Sequence, residues 1–300
     1  MRQSPDPSNP PRWSAAEVRR ALRWGAVIGL WVGSVGIAVH AVGQYAHDGW
    51  IGADTHAYWL AARRAHPYQA PPRYVDAFEY SPVFAQLTRP LRLLPFPVCY
   101  ILWVGVEALV YVWLTRGLAW RWRLPVLLFC VPELALGNLY GVFSVVLVAG
   151  VALPELWAIP LLTKITPAGP GVLWFILTGR VRHAVRAVAC AAVLVAVSAA
   201  LQPDLWREWF AYLHGNSAGA IDGILIRCAI AAAITIIAAR TGWAWLLPVA
   251  FILCTPVNGG VSKDLAMLPA MIRLYLRPPA RPSRSARPRR MSGVPSEVAR

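Results

Sequence analysis

The chain has 300 residues, of which 57% are hydrophobic and 14% charged, with 15 tryptophans and a mean hydropathy of +0.49. A soluble domain carries about 25% charged residues, so this composition excludes an ordinary water-facing surface and points to helices embedded in lipid. The net charge of +15 comes with no groove-reading motif and gathers at the chain ends and between apolar blocks. That pattern argues against a nucleic-acid partner and fits membrane orientation and headgroup attraction.

In chain order, residues 1–20 are polar, Pro-rich and basic, and read as a flexible cytoplasmic N-terminus. Residues 21–42 form the first apolar run. The run is too long for a signal-peptide core of about 7–15 residues and reads as an uncleaved first span. A hydrophilic segment, 43–95, follows as a long outward loop, and its stretch from Asp54 to His66 mixes aromatic and cationic residues as a helix lying in the interface does. Further apolar runs lie near 96–115, 124–137, 139–153, 155–166, 168–179, 187–202, 222–239, 243–257 and 265–276. Arginines fall at 116–123, 180–186, 240 and in the tail 277–300, which reads as basic and disordered. Placing all of them with the N-terminus in the cytoplasm satisfies the positive-inside rule for about ten crossings. The region 124–179 is harder to divide, because Pro132, Pro154, Pro160, Pro167 and Pro170 interrupt runs shorter than a straight span. Re-entrant pieces fit it as well, so about eight to ten crossings are expected. Residues 203–221 read as an outward loop.

The five cysteines stand alone in apolar runs, and the histidines show no ligand spacing, so neither a disulfide nor a metal site is expected. Asp54 is a lone carboxylate at the outward edge of the first span. It reads as a helix N-cap or as a base, and the two roles are compatible. Gly137-Asn138 makes a good turn. Only two lysines, Lys164 and Lys263, stand among the 29 cationic residues, both at outward ends of runs. Lys164 interrupts an otherwise uncharged stretch and marks a functional site or a side chain snorkelling to lipid phosphate. Glu107 and Glu133 serve an interhelix bond or, less favoured, a proton or ion path.

Four segments occur in a set order: Asp54-Thr55-His56-Ala57-Tyr58-Trp59, Tyr80-Ser81-Pro82, Gly137-Asn138, and Leu161-Leu162-Thr163-Lys164-Ile165-Thr166-Pro167 leading to Leu173-Trp174-Phe175. Their order and spacing resemble glycosyltransferase family 87, the polyprenyl-phosphate-mannose-dependent mannosyltransferases and relatives, over about residues 21–276. The resemblance implies an all-α integral membrane fold, a GT-C-like multispan helical bundle with its active site at the outer face. It implies an inverting transferase that moves a hexose, mannose in the expected case, from a polyprenyl-phosphate sugar to a glycolipid or glycan acceptor. The family's first-loop acid matches Asp54, and its Lys-x-x-Pro matches Lys164 with Pro167. Tyr140 stands where relatives often have His. Asp54 is thus the expected base, with Lys164, Lys263 and Arg73 on the donor phosphate. His56, Tyr58, Tyr80, Asn138 and Tyr140 would line the substrate pocket, with no cofactor and no metal. The expected location is the plasma membrane. A transporter or flippase for a lipid-linked substrate, working through Glu107, is the competing reading.

Overall fold

The computed structural model describes residues 14–72, 74–216, 223–256 and 261–279, and among these every regular element is helical. Arg73 and the two terminal segments expected to be flexible or disordered lie largely or wholly outside the described residues. Helix α1 (Ala15–His47) starts earlier than the apolar pattern suggests. Ser14 and Glu17 form a reciprocal capping box there: the Glu17 amide donates to Ser14 Oγ at 3.2 Å and the Ser14 amide donates to Glu17 Oε2 at 2.8 Å. At 1.5 Å per residue its 33 residues extend for about 50 Å, longer than the roughly 30 Å hydrocarbon layer.

The hydrophilic segment then folds as α2 (Ala53–Arg63), α3 (Pro82–Leu87) and a single turn at Arg89–Leu93. α2 is the helix expected in this loop. α4 (Phe96–Leu114) and α5 (Trp120–Leu136) follow as an antiparallel pair. α5 runs through Pro125 and Pro132, where an interruption was expected at Pro132. Both prolines are buried among the packed helices, and the helix continues through them. The stop comes at the expected Gly137-Asn138 turn, where Gly137, with a φ of 71°, closes the helix in the left-handed region.

Short helices come next: α6 (Tyr140–Ala149), the turn Pro154–Trp157 leading into α7 (Ala158–Thr163), and α8 (Ile165–Leu177). α9 (Val181–Leu201) returns as a long span. The stretch expected as an outward loop after it contains a helix, α10 (Pro203–Asn216). Pro203 and Asp204 suit a first turn, and Leu205 and Tyr212 bury one face of it. α11 (Ile224–Thr241), α12 (Leu247–Leu253), α13 (Val261–Leu265) and α14 (Leu268–Leu276) complete the described chain.

Four of these helices, α1, α4, α9 and α11, are long and apolar enough to cross a membrane. Between their charged ends the outward side chains include Val32, Leu109, Val193 and Ile226, all apolar. The interior holds Tyr58, Tyr111, Tyr140, Phe143, Trp157 and Phe175. An apolar exterior around an interior that includes polar aromatic groups suits a lipid solvent. The molecule is an all-α multispan membrane bundle. The five cysteines are free.

Candidate active site

The loop helix α2 is fixed against the end of α5 by backbone bonds. Gly52, in the left-handed region with φ of 77°, is the N-cap of α2, and its amide donates to the Ala135 carbonyl at 2.7 Å. Thr55 Oγ1 donates to the Gly137 carbonyl at 3.0 Å. A β-carbon on Gly137 would collide with that hydroxyl, so the close approach requires glycine there.

Asp54 is therefore the second residue of the helix, and the expectation that it caps α2 is not met: Gly52 holds the cap position, and no side-chain cap bond forms. Among the described residues its carboxylate accepts no hydrogen bond. Helical geometry sets its neighbours, since residues four apart share a face and residues two apart diverge. Tyr58 shares the Asp54 face, is fully buried, and meets Tyr80 hydroxyl to hydroxyl at 3.0 Å. His56 turns away. Its Nδ1 pairs with Asp76 Oδ1 at 2.5 Å, and its ring stands edge-on to Phe96 with centroids 4.7 Å apart.

Lys164 occupies the break between α7 and α8, with an extended φ of −139°. Its Nζ lies 5.7 Å from the Tyr80 ring centre and 5.3 Å from that of Tyr140. Ring faces attract cations, so the two tyrosines hold the ammonium in place. Pro167 sits in the first turn of α8, where its missing N–H costs nothing. The ammonium thus stands at the positive end of a 13-residue helix, an arrangement that favours an anion.

Asp54, Lys164 and Lys263 act on one another electrostatically. Burial pushes the Asp54 carboxyl above its ordinary range, Lys164 and Lys263 pull it back, and Glu79 raises it further. Burial lowers the Lys164 ammonium, with Lys263 adding to the effect, while Asp54, Glu133 and Glu79 oppose it. The cluster therefore gathers Asp54, Lys164, Lys263, Tyr58, Tyr80 and Tyr140 from five parts of the chain. Asn138 is buried beside it and bonds locally, its Oδ1 accepting from the Leu139 amide at 2.8 Å. Arg73 lies outside the described residues.

Glu79 is part of the outward segment Phe78-Glu79-Tyr80-Ser81-Pro82 that stands out in the sequence, without an assigned role. Glu133 was given no place in the site: it falls one helical turn before Gly137, and only its position near the end of a span hinted at the cluster. Glu107 has a different task. Its carboxylate accepts from the Gly141 amide at 2.5 Å and the Val142 amide at 3.2 Å, closing the N-terminus of α6. That is the interhelix bond, and it occupies both oxygens.

A family model, glycosyltransferase family 87, matches residues 78–261, more than half of the chain. The chain belongs to glycosyltransferase family 87. The family 87 match includes Tyr80, Asn138, Tyr140 and Lys164; Asp54, His56 and Tyr58 precede it and Lys263 follows it. No curated protein and no solved structure matches the chain. Membership and the apolar helices together make this family 87 protein a membrane glycosyltransferase.

Proposed function

We propose that this glycosyltransferase moves a hexose, mannose, from a polyprenyl-phosphate sugar to a glycolipid or glycan acceptor at the outer face of the plasma membrane. Both termini lie in the cytoplasm in this reading. The observation that carries it is the Asp54 carboxylate, without a hydrogen-bond partner among the described residues, within electrostatic reach of Lys164 and Lys263.

An inverting transfer needs one base at the acceptor hydroxyl, and Asp54 supplies it. The acceptor oxygen attacks the anomeric carbon, its proton passes to Asp54, and the sugar–phosphate bond breaks. The departing lipid phosphate gains negative charge, which Lys164, Lys263 and the N-terminus of α8 stabilise. Arg73 is a further candidate for that phosphate. Tyr58, Tyr80 and Tyr140 frame the pocket and hold Lys164, and His56 and Asn138 support its walls.

The test is Asp54→Asn, assayed for transfer from a radiolabelled polyprenyl-phosphate mannose donor into membrane lipids. Loss of a general base costs about 10²–10⁴-fold in rate. Asparagine keeps the size of the side chain, and no cap bond is lost, so folding should be retained. Undiminished transfer by the variant would remove Asp54 from the mechanism.

A further inference from the structure

Helices α6, α8 and α14 lead from the Asp54–Lys164 end of the bundle to a second polar region at their C-terminal ends. A cavity of about 470 Å³ opens there, lined by Val148, Val151, Arg180, His183, Arg273 and Arg277 among others. The 10 residues of α6 and 13 of α8, at 1.5 Å each, put it about 15–20 Å from the first cluster. It is a separate site.

Arg273 is only 7% exposed and forms no ion pair among the described residues. Its guanidinium lies 5.6 Å from the Trp113 ring centre, and that of Arg116 lies 5.5 Å from the same ring. Arg116 and Arg277 both repel its charge. Glu155 is within electrostatic reach of His183, but Arg186 holds that carboxylate. Burying a cation among like charges is costly unless an anion joins it. The planar guanidinium fork matches phosphate oxygens two at a time. Val148, Val151 and Leu274 give the same cavity an apolar wall, which suits the glycerol and first methylenes of a lipid.

We propose that this cavity is a phosphate site, in which Arg273 and Arg277 hold a phosphate-bearing anion and Arg180 and His183 border it. The anion is the headgroup of an acidic phospholipid or a free phosphate, and the two sources are separable. Basic pockets between membrane helices take lipid phosphates by this chemistry. The site stands apart from the transfer reaction and does not depend on Asp54.

The full chain would be placed in bilayer discs of neutral phosphatidylcholine, of phosphatidylcholine with phosphatidylglycerol, and of phosphatidylcholine with inorganic phosphate in the buffer. Retained lipid is read by native mass spectrometry and stability by the unfolding midpoint, both without sugar donor. The expected result is a higher midpoint with one of the two phosphate sources, and selective retention of phosphatidylglycerol if lipid is the source. Arg277→Gln should weaken binding about fivefold, which corresponds to roughly 1 kcal/mol per arginine at an anionic surface. Arg273→Gln should weaken it more. Arg277 is exposed, so folding is not at stake in that variant. Arg182→Gln removes a neighbouring exposed charge outside the cavity and should bind as the parent does. Equal losses in Arg182→Gln and Arg277→Gln, or no response to either phosphate source, would overturn the proposal.

Discussion

At the scale of single residues, the face of α2 decides which side chains meet. Asp54 shares its face with Tyr58 and lies within electrostatic reach of Lys164, while His56, two positions along, is committed to Asp76. Because burial raises the Asp54 carboxyl, the base becomes available only above the ordinary carboxylate range of about 3.9. Because burial lowers Lys164, its charge is lost below the ordinary lysine value of about 10.4. Transfer rate against pH should therefore be a bell narrower than two unperturbed groups would give. Lys164→Ala removes a cation that favours the carboxylate, so the acid limb should move to higher pH. The rate at its optimum should fall roughly a hundredfold. Lys164→Arg keeps the charge and should keep part of the rate. An acid limb that stays put in Lys164→Ala would separate the two residues. Asp54 and Lys164 were legible in the sequence because a lone acid and a rare lysine stand out against apolar and arginine-rich surroundings. Glu133 was not, since its proximity depends on how α5 and the α7–α8 break close on one another.

Among the elements, α6 shows how a charge inside a span can be structural. The helix begins beside Glu107 of α4, whose two oxygens take the amides of Gly141 and Val142. A buried amide left without an acceptor costs about 1–3 kcal/mol. Glu107→Ala exposes both amides to that cost and should lower the unfolding midpoint markedly. Glu107→Gln keeps one acceptor oxygen but sets its NH2 against the other amide, so it should lose less stability than the alanine variant and keep the sugar transfer. A transporter working through this carboxyl would lose its function in the glutamine variant, so substrate movement across vesicles and sugar transfer should be measured together. The long spans were legible from apolar length alone. The starts of α1 and α10 were not, because capping by Ser14 and Glu17 and the Pro203-Asp204 opening outweigh the apolar pattern. Proline misled in α5 because inside a membrane bundle a helix can run through a buried proline.

For the whole molecule, the proposed chemistry requires the Asp54 end to face outward, and one span suffices to test that. The segment 74–80 and the turn after α4 lie on opposite sides of α4, whose 19 apolar-rich residues extend about 29 Å. This choice avoids the short helices α6 and α7, where a crossing pair and a re-entrant pair leave the same ends on the same side. Tyr74 is 70% exposed and Gly117 is open and exposed, so cysteine is tolerated at both without repacking. The arginines at 116, 121 and 123 would place the Gly117 turn in the cytoplasm under the positive-inside rule in the proposed orientation. An impermeant maleimide should therefore label Tyr74→Cys in intact cells and Gly117→Cys only after the membrane is opened, each measured against the parent with its five native cysteines. Labelling of Gly117→Cys alone in intact cells would invert the molecule. The Asp54–Lys164 cluster would then face the cytoplasm, and transfer to an outer-face acceptor would be untenable, while the phosphate cavity of Arg273 and Arg277 would face outward.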